Sequence, residues 1–93
     1  GHARVKLVFK VNKGYVGGSQ VIDGRIDRKQ RARVLRGGQA VYDGSVETLR
    51  RFTDEVPEVR NGLECGIKLH GFSDYEEGDI IECYELEKFK QAL

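Results

Sequence analysis

Apolar side chains occupy every second position in two stretches of the chain, residues 4–12 and 63–69. The alternating residues are Val5, Leu7, Phe9 and Val11 in the first stretch and Leu63, Cys65, Ile67 and Leu69 in the second. A period of two is typical of a strand that buries one face. Both stretches are therefore predicted to be strands.

Turn signals separate several shorter apolar segments. The segments are 21–22, 32–35, 40–42, 46–52 and 79–86, and the turn dipeptides are Asp23-Gly24, Gly37-Gly38 and Asp43-Gly44. The glycines of residues 14–18 predict a loop before the second strand. Residues 46–52 also fit helical spacing, but an extended segment is favoured because strands surround them.

About seven short strands, with turn signals roughly every ten residues, indicate an all-β barrel or sandwich. A small closed barrel leaves none of these strands with a free edge. We therefore predict a closed antiparallel β-barrel of about six strands. The side chains predicted to lie inside it are Val5, Leu7, Phe9, Val34, Leu63, Ile67 and Leu69.

The 93 residues allow one small domain. Residues 1 and 2 are expected to be a vector-derived remnant. Residues 3–93 are expected to be a single domain from a longer protein, because the sequence contains no Met. No apolar run approaches the length of a membrane span, and no signal peptide is evident.

Charge is divided unevenly along the chain. Residues 1–42 carry a net charge of +8 and residues 43–93 a net charge of −7, which leaves +1 overall. Two interpretations remain open at this point. The basic half can face a phosphate-rich partner, or the two halves can attract each other within one fold.

The two cysteines, Cys65 and Cys83, are predicted to be reduced thiols of a cytosolic protein. Their two strands are predicted to pair about a turn near Asp74, which would place Cys65 opposite Tyr84 and disfavour a disulfide. The acidic residues around this turn are expected to form a solvated hairpin tip. These residues are Asp74, Glu76, Glu77 and Asp79.

The sequence lacks the common catalytic motifs. It contains no phosphate-binding loop of the G-x-x-x-x-G-K-[ST] type. Cys65 and His70 are five residues apart in one predicted strand and therefore point to opposite faces. No metal-ligand spacing occurs either. We predict no catalytic residues and no metal site.

Two short clusters suit a ligand instead. Arg50-Arg51-Phe52 places two cations beside an aromatic ring, a combination that suits the phosphates and base of a single-stranded RNA end. Glu64-Cys65-Gly66 places a carboxylate and a thiol beside a backbone that a ligand can approach closely. Alternation by itself would turn Cys65 inward.

These clusters, in this order, resemble the C-terminal domain of bacterial translation initiation factor 2. The similarity extends from about Val5 to Tyr84. The segments that carry it include Val8-Phe9-Lys10-Val11, Val21-Ile22-Asp23-Gly24, Val41-Tyr42-Asp43-Gly44, Ser45-Val46-Glu47-Thr48-Leu49-Arg50-Arg51-Phe52, Gly62-Leu63-Glu64-Cys65-Gly66 and Glu77-Gly78-Asp79-Ile80-Ile81.

The resemblance implies a barrel of the elongation factor Tu domain 2 type that binds the formylmethionyl 3′ acceptor end of initiator tRNA. The binding residues it implies are Arg50, Arg51, Phe52, Glu64, Cys65 and Gly66. Two further positions depart from the family, with Ser19 in place of a common Cys and Thr53 in place of a common Lys.

The resemblance also implies a cytoplasmic, monomeric module without catalytic activity or a cofactor of its own. GTP and Mg²⁺ would bind a separate G domain of the parent factor, and contact with the ribosome would be made through that factor. An alternative is a protein-interaction barrel that docks the ribosome or a neighbouring domain without recognising RNA.

Overall fold

Nine β-strands account for most of the described residues, which are 1–11, 14–52 and 54–84 of a computed structural model. The strands are β1 (His2–Val11), β2 (Gly14–Asp23), β3 (Arg25–Asp27), β4 (Arg31–Arg36), β5 (Gln39–Arg51), β6 (Asp54–Glu55), β7 (Glu58–Arg60), β8 (Glu64–Leu69) and β9 (Ile80–Tyr84). These residues contain no helix, which confirms the all-β prediction. A helix able to span a membrane is accordingly absent from them.

Six of the strands close into an antiparallel barrel. Their order is β4-β9-β1-β2-β8-β5, and β4 pairs again with β5 to complete the circle. β6 adds to β5, while β3 and β7 form a separate two-stranded sheet. Closure satisfies the backbone donors and acceptors at what would otherwise be two sheet edges. The predicted closed barrel of about six strands is therefore confirmed.

Alternating side chains of the barrel strands fill its interior. Four residues of the predicted core, Val5, Val34, Ile67 and Leu69, are at most 1% exposed. Burying such side chains contributes roughly 1.5–3 kcal/mol each. They are joined by Ala3, Val21, Ile26, Ala32, Leu49, Val59 and Ile81.

The prediction that Leu7 and Phe9 lie in the core is wrong. Val5 pairs with Ser19, but Leu7 pairs with the adjacent Gly18, so β1 carries one extra residue at this point. Such a bulge shifts the alternation by one position. Leu7 and Phe9 consequently face outward and are 59% and 49% exposed.

Leu63 is also outside the core, against prediction, with 40% of its side chain exposed. Its amide donates to the carbonyl of Arg60 at 3.2 Å, and Gly62 before it has a φ of 91°. Leu63 therefore belongs to a turn, and β8 begins one residue later, at Glu64.

Beyond the bulge, β1 and β2 continue as a two-stranded ribbon. Residues 7–11 pair with residues 14–18, and of these only 17 and 18 pair also with β8. We call residues 7–11 and 14–16 the arm. The predicted glycine loop is thus wrong, because Gly17 and Gly18 lie within β2 and only Gly14 in this run has a positive φ, of 131°.

The predicted pairing of the two cysteine-containing strands is wrong as well. β8 pairs with β2 and β5, whereas β9 pairs with β1 and β4. Arg36, at the end of β4, donates to both carboxylate oxygens of Asp79 at 2.9 and 2.8 Å and so holds the start of β9 beside β4. Asp79 is 2% exposed and is not part of a solvated tip. Both cysteines are buried free thiols, as predicted.

Residues 39–51 form one continuous strand. The turn predicted at Asp43-Gly44 is therefore wrong, and the extended conformation predicted for residues 46–52 is confirmed as far as Arg51. The ring of Tyr42 covers Gly44, where an added Cβ would lie 2.7 Å from Cε2 of the ring. An aromatic side chain that covers a glycine in this way compensates for the packing that the glycine lacks.

Candidate functional site

A groove of about 1040 Å³ runs along the side of the barrel formed by β1, β2, β8 and β5. All six residues of the predicted site line it, and Ser19 lines it as well. The two predicted clusters meet there because β5 and β8 are neighbours, with Arg50 directly opposite Gly66. Thr53, the other departing position, lies outside the described residues.

One end of the groove is basic. Nε of Arg51 donates to the carbonyl oxygen of Glu64 at 3.1 Å, which orients the guanidinium across the groove. Arg50 forms an ion pair with Glu55 at 3.3 Å. Within the described part of the chain Arg51 has no carboxylate partner. Its charge is therefore available to an anionic ligand.

Phe52 ends the basic side of the groove in an unusual conformation. It is the one described residue other than glycine with a positive φ, 60°, and its side chain is 91% exposed. The guanidinium carbon of Arg51 lies 5.4 Å from the centre of its ring. A left-handed backbone is costly for a bulky residue and is found mostly at functional sites. The ring is thus presented to solvent beside a cation.

The floor of the groove is made by two glycines. Gly18 of β2 and Gly66 of β8 are directly paired, and neither has a side chain to fill the space above the backbone. A ligand can therefore approach the main chain at this point. Register extends this row to Leu7 on one side and to Arg50 on the other.

Cys65 and Ser19 form the pair beside the glycine floor and face the barrel interior. Cys65 is 7% exposed, and burial raises the pKa of its thiol to about 12. It is therefore protonated at neutral pH and a poor nucleophile. The Ser19 hydroxyl donates to the Gly17 carbonyl at 3.0 Å. Both residues line the groove mainly through their backbone and small side chains.

The opposite wall is apolar and was not predicted from the sequence. Leu7, Phe9 and Val11 of β1, Val16 of β2 and the turn residue Leu63 line it. Alternation assigned Leu7, Phe9 and Leu63 to the core, so their real position depends on a bulge and a turn that the apolar pattern does not reveal. One signal was present, because Gly17-Gly18 opposite these large residues indicates close packing against a backbone.

The uneven charge of the two halves is resolved inside the fold. Bases of residues 1–42 pair with acids of residues 43–93 across neighbouring strands. The pairs include Arg25–Glu58, Arg28–Glu55, Arg31–Asp43, Arg33–Glu82, Arg36–Asp79 and Lys6–Glu64. This favours mutual attraction of the halves over a single basic face, and the positive end of the groove is a local feature. Among the described residues no cluster of His, Cys, Asp and Glu could hold a metal ion.

The fold and this groove define a small β-barrel binding module whose site is basic at one end and apolar at the other. No protein-family model matches the chain. Its whole length is, however, 49% identical over 94 residues to a segment of translation initiation factor IF-2 from Desulfitobacterium hafniense. The corresponding protein of Symbiobacterium thermophilum is 50% identical over 91 residues, or 97% of the chain.

The protein of the same name from Zymomonas mobilis is 49% identical over 94 residues. The chain belongs to the translation initiation factor IF-2 family. It spans about a tenth of the length of these relatives, since it covers 10%, 9% and 10% of them.

Proposed function

We propose that this chain binds the formylmethionyl acceptor end of initiator tRNA in the groove and so serves translation initiation without catalysing a reaction. The observation that carries the proposal is the meeting of residues 50–52 and 64–66 in one groove with a bare backbone floor. Membership in the IF-2 family supports the setting in translation initiation.

The basic end suits the terminal nucleotide. Arg51 supplies a cation without a carboxylate partner among the described residues, and a guanidinium forms paired hydrogen bonds with phosphate oxygens. The exposed ring of Phe52 offers a flat surface for an unpaired base. This arrangement accounts for the cluster as a grip on an RNA end.

The floor suits a formylated amino group. A free α-amino group titrates near pH 8 and carries a positive charge at neutral pH, which formylation removes. An ammonium in this groove would lose hydration and meet the charge of Arg51, whereas a neutral formamide incurs neither cost. The backbone at Gly18 and Gly66 can accept a flat amide in close contact.

Within the parent factor we assign the chain a binding role only. The sequence has no phosphate-binding loop, so GTP and Mg²⁺ would be held by another domain of the parent. Contacts with the ribosome would then be made by the factor as a whole.

The test compares formylmethionyl with methionyl initiator tRNA by filter binding or fluorescence titration of the 93-residue chain. We expect tighter binding of the formylated form. Arg51→Ala should weaken that binding by about 1–3 kcal/mol. It should also reduce the salt dependence, since one phosphate contact is lost.

Arg60→Ala is the matched control. Arg60 is an exposed arginine on β7 that pairs with Glu58 at 3.4 Å and does not line the groove. The control should leave affinity and salt dependence unchanged. Equal affinities of the wild-type chain for the two tRNA forms would contradict recognition of the formyl group.

A second candidate is a protein-interaction barrel that docks the ribosome or a neighbouring domain. The observation in its favour is the face of the arm turned away from the groove, where Val8 and Tyr15 are both 39% exposed. Exposed apolar side chains that lie together commonly mark contact surfaces. Undiminished docking to ribosomes, together with no formyl dependence, would favour this candidate.

A further inference from the structure

The arm supplies one wall of the groove, although its residues pack against little of the barrel. Leu7, Phe9 and Val16 line the groove, and Leu7 and Phe9 keep about half of their surface exposed, at 59% and 49%. Exposing large apolar side chains on a two-stranded ribbon gives no folding benefit. Their position therefore calls for an explanation outside the stability of the barrel.

Phe9 and Val16 lie directly over the glycine floor. A Cβ added at Gly18 would be 2.6 Å from Cε2 of Phe9, and one added at Gly66 would be 3.1 Å from Cγ1 of Val16. Phe9 and Val16 are cross-strand partners, as are Gly18 and Gly66. One apolar pair thus leans over one bare pair, which leaves an apolar corner between the arm and the floor.

The row of paired residues across the groove gives a ligand a direction. It runs from Leu7 through Gly18 and Gly66 to Arg50, over three strand spacings. At about 4.8 Å each, the apolar and basic ends lie roughly 14 Å apart. A ligand whose phosphates are held at the basic end must direct its other end towards the arm.

We propose that the corner beside Phe9 receives the amino-acid side chain of the bound aminoacyl end, and that Phe9 selects for a long apolar side chain; this assignment rests on the proposed function. An aromatic ring suits such a partner because it offers a broad apolar surface. A thioether sulfur gains additional contact energy at the edge of a ring. The formamide lies over the glycines, between the side chain and the nucleotide.

Phe9 also has a purely structural explanation, which is that its ring compensates for the missing side chain of Gly18. The two explanations differ in what they predict. Covering a glycine affects the stability of the arm and hence all ligands alike. Contact with an amino-acid side chain affects affinity only where that side chain is large and apolar.

The test uses initiator tRNA charged with methionine or with alanine, each formylated, and the wild-type, Phe9→Ala, Phe9→Leu and Tyr15→Ala chains. Phe9→Ala should weaken binding of formylmethionyl-tRNA by about tenfold and leave formylalanyl-tRNA within about twofold. Phe9→Leu should lie between Phe9→Ala and wild type. Tyr15 is a matched aromatic control, since it lies on the same arm but does not line the groove.

The outcomes are separable. A methionine-to-alanine preference that survives in Phe9→Ala as it does in Tyr15→Ala overturns the assignment of Phe9 but leaves the proposed function intact. Equal weakening of both ligands by Phe9→Ala identifies the structural explanation and also overturns the assignment. If the wild-type chain binds neither tRNA, the proposed function fails, and the assignment fails with it.

Discussion

The backbone at Phe52 should make glycine more stabilising than alanine at this position. Its φ of 60° lies in the left-handed region, and its side chain is 91% exposed. Phe52→Gly and Phe52→Ala both remove the ring and its contact with the Arg51 guanidinium. Their difference in stability therefore reports the backbone alone.

The expected difference follows from two opposing effects. A left-handed conformation costs a residue with a Cβ about 1–2 kcal/mol, and glycine avoids this cost. Glycine loses more chain entropy on folding, which costs it about 0.5–1 kcal/mol relative to alanine. Phe52→Gly should consequently exceed Phe52→Ala by roughly 0.5–1 kcal/mol. In an ordinary strand position the order would be reversed.

Thermal unfolding followed by circular dichroism measures this difference. For a domain of this size, 1 kcal/mol corresponds to a change in Tm of about 4–8 °C. Gly37→Ala is the control, because Gly37 has a φ of 61° and an added Cβ there would meet no atom within 4 Å. It should lower stability by about 1 kcal/mol through backbone strain alone.

A Phe52→Ala chain as stable as Phe52→Gly, or more stable, would refute the argument if Gly37→Ala behaves as expected. It would mean that residue 52 does not hold a left-handed backbone in solution. Both variants should bind formylmethionyl initiator tRNA less tightly than wild type, because each lacks the ring. Stability and binding at this position should therefore change in opposite directions in Phe52→Gly.

Two further predictions concern buried groups. Asp79→Asn should lower the free energy of urea-induced unfolding by about 2 kcal/mol, because Arg36 loses its buried partner. Burial opposes ionisation of Asp79, but the Arg36 hydrogen bonds, the Glu76 amide and the Arg36 charge outweigh it and lower the pKa of the carboxyl. The difference from Asn should thus be full above about pH 4 and shrink as the pH falls further, and a gap independent of pH would contradict this. Iodoacetamide at pH 8 should label neither Cys65 nor Cys83 in the folded chain and both after unfolding, since burial raises their pKa values to about 12 and about 11; mass spectrometry would detect rapid labelling of the folded chain, which would be inconsistent with buried thiols.

The alternation of apolar residues predicted the barrel because most of its strands bury one face. Ile67 and Leu69 lie inside as the pattern requires. The pattern failed at Leu7 and Phe9, since one extra residue at Lys6 exchanges the two faces of β1. A bulge of this kind depends on how two strands fit together, which no single segment encodes.

The candidate site shows the same division. Residues 50–52 and 64–66 could be recognised within their own segments, because their side-chain chemistry is local. That the two segments meet depends on the pairing of Arg50 with Gly66, and alternation alone does not give that pairing. The apolar wall could not be predicted, because it needs both the bulge in β1 and the register between Leu7 and Gly18.

The position of β9 has a consequence for the order in which the chain acquires its structure during synthesis. β9 lies between β1 and β4, so that Ala3 pairs with Ile81 and Ala32 with Cys83. A nascent chain cannot close the barrel until residue 84 has left the ribosome, and until then the first half carries its positive charge without most of its acidic partners. Contacts so distant in sequence require loop closure before they yield any energy, which slows folding. The barrel should therefore form late and in one cooperative step, only when its last strand is available.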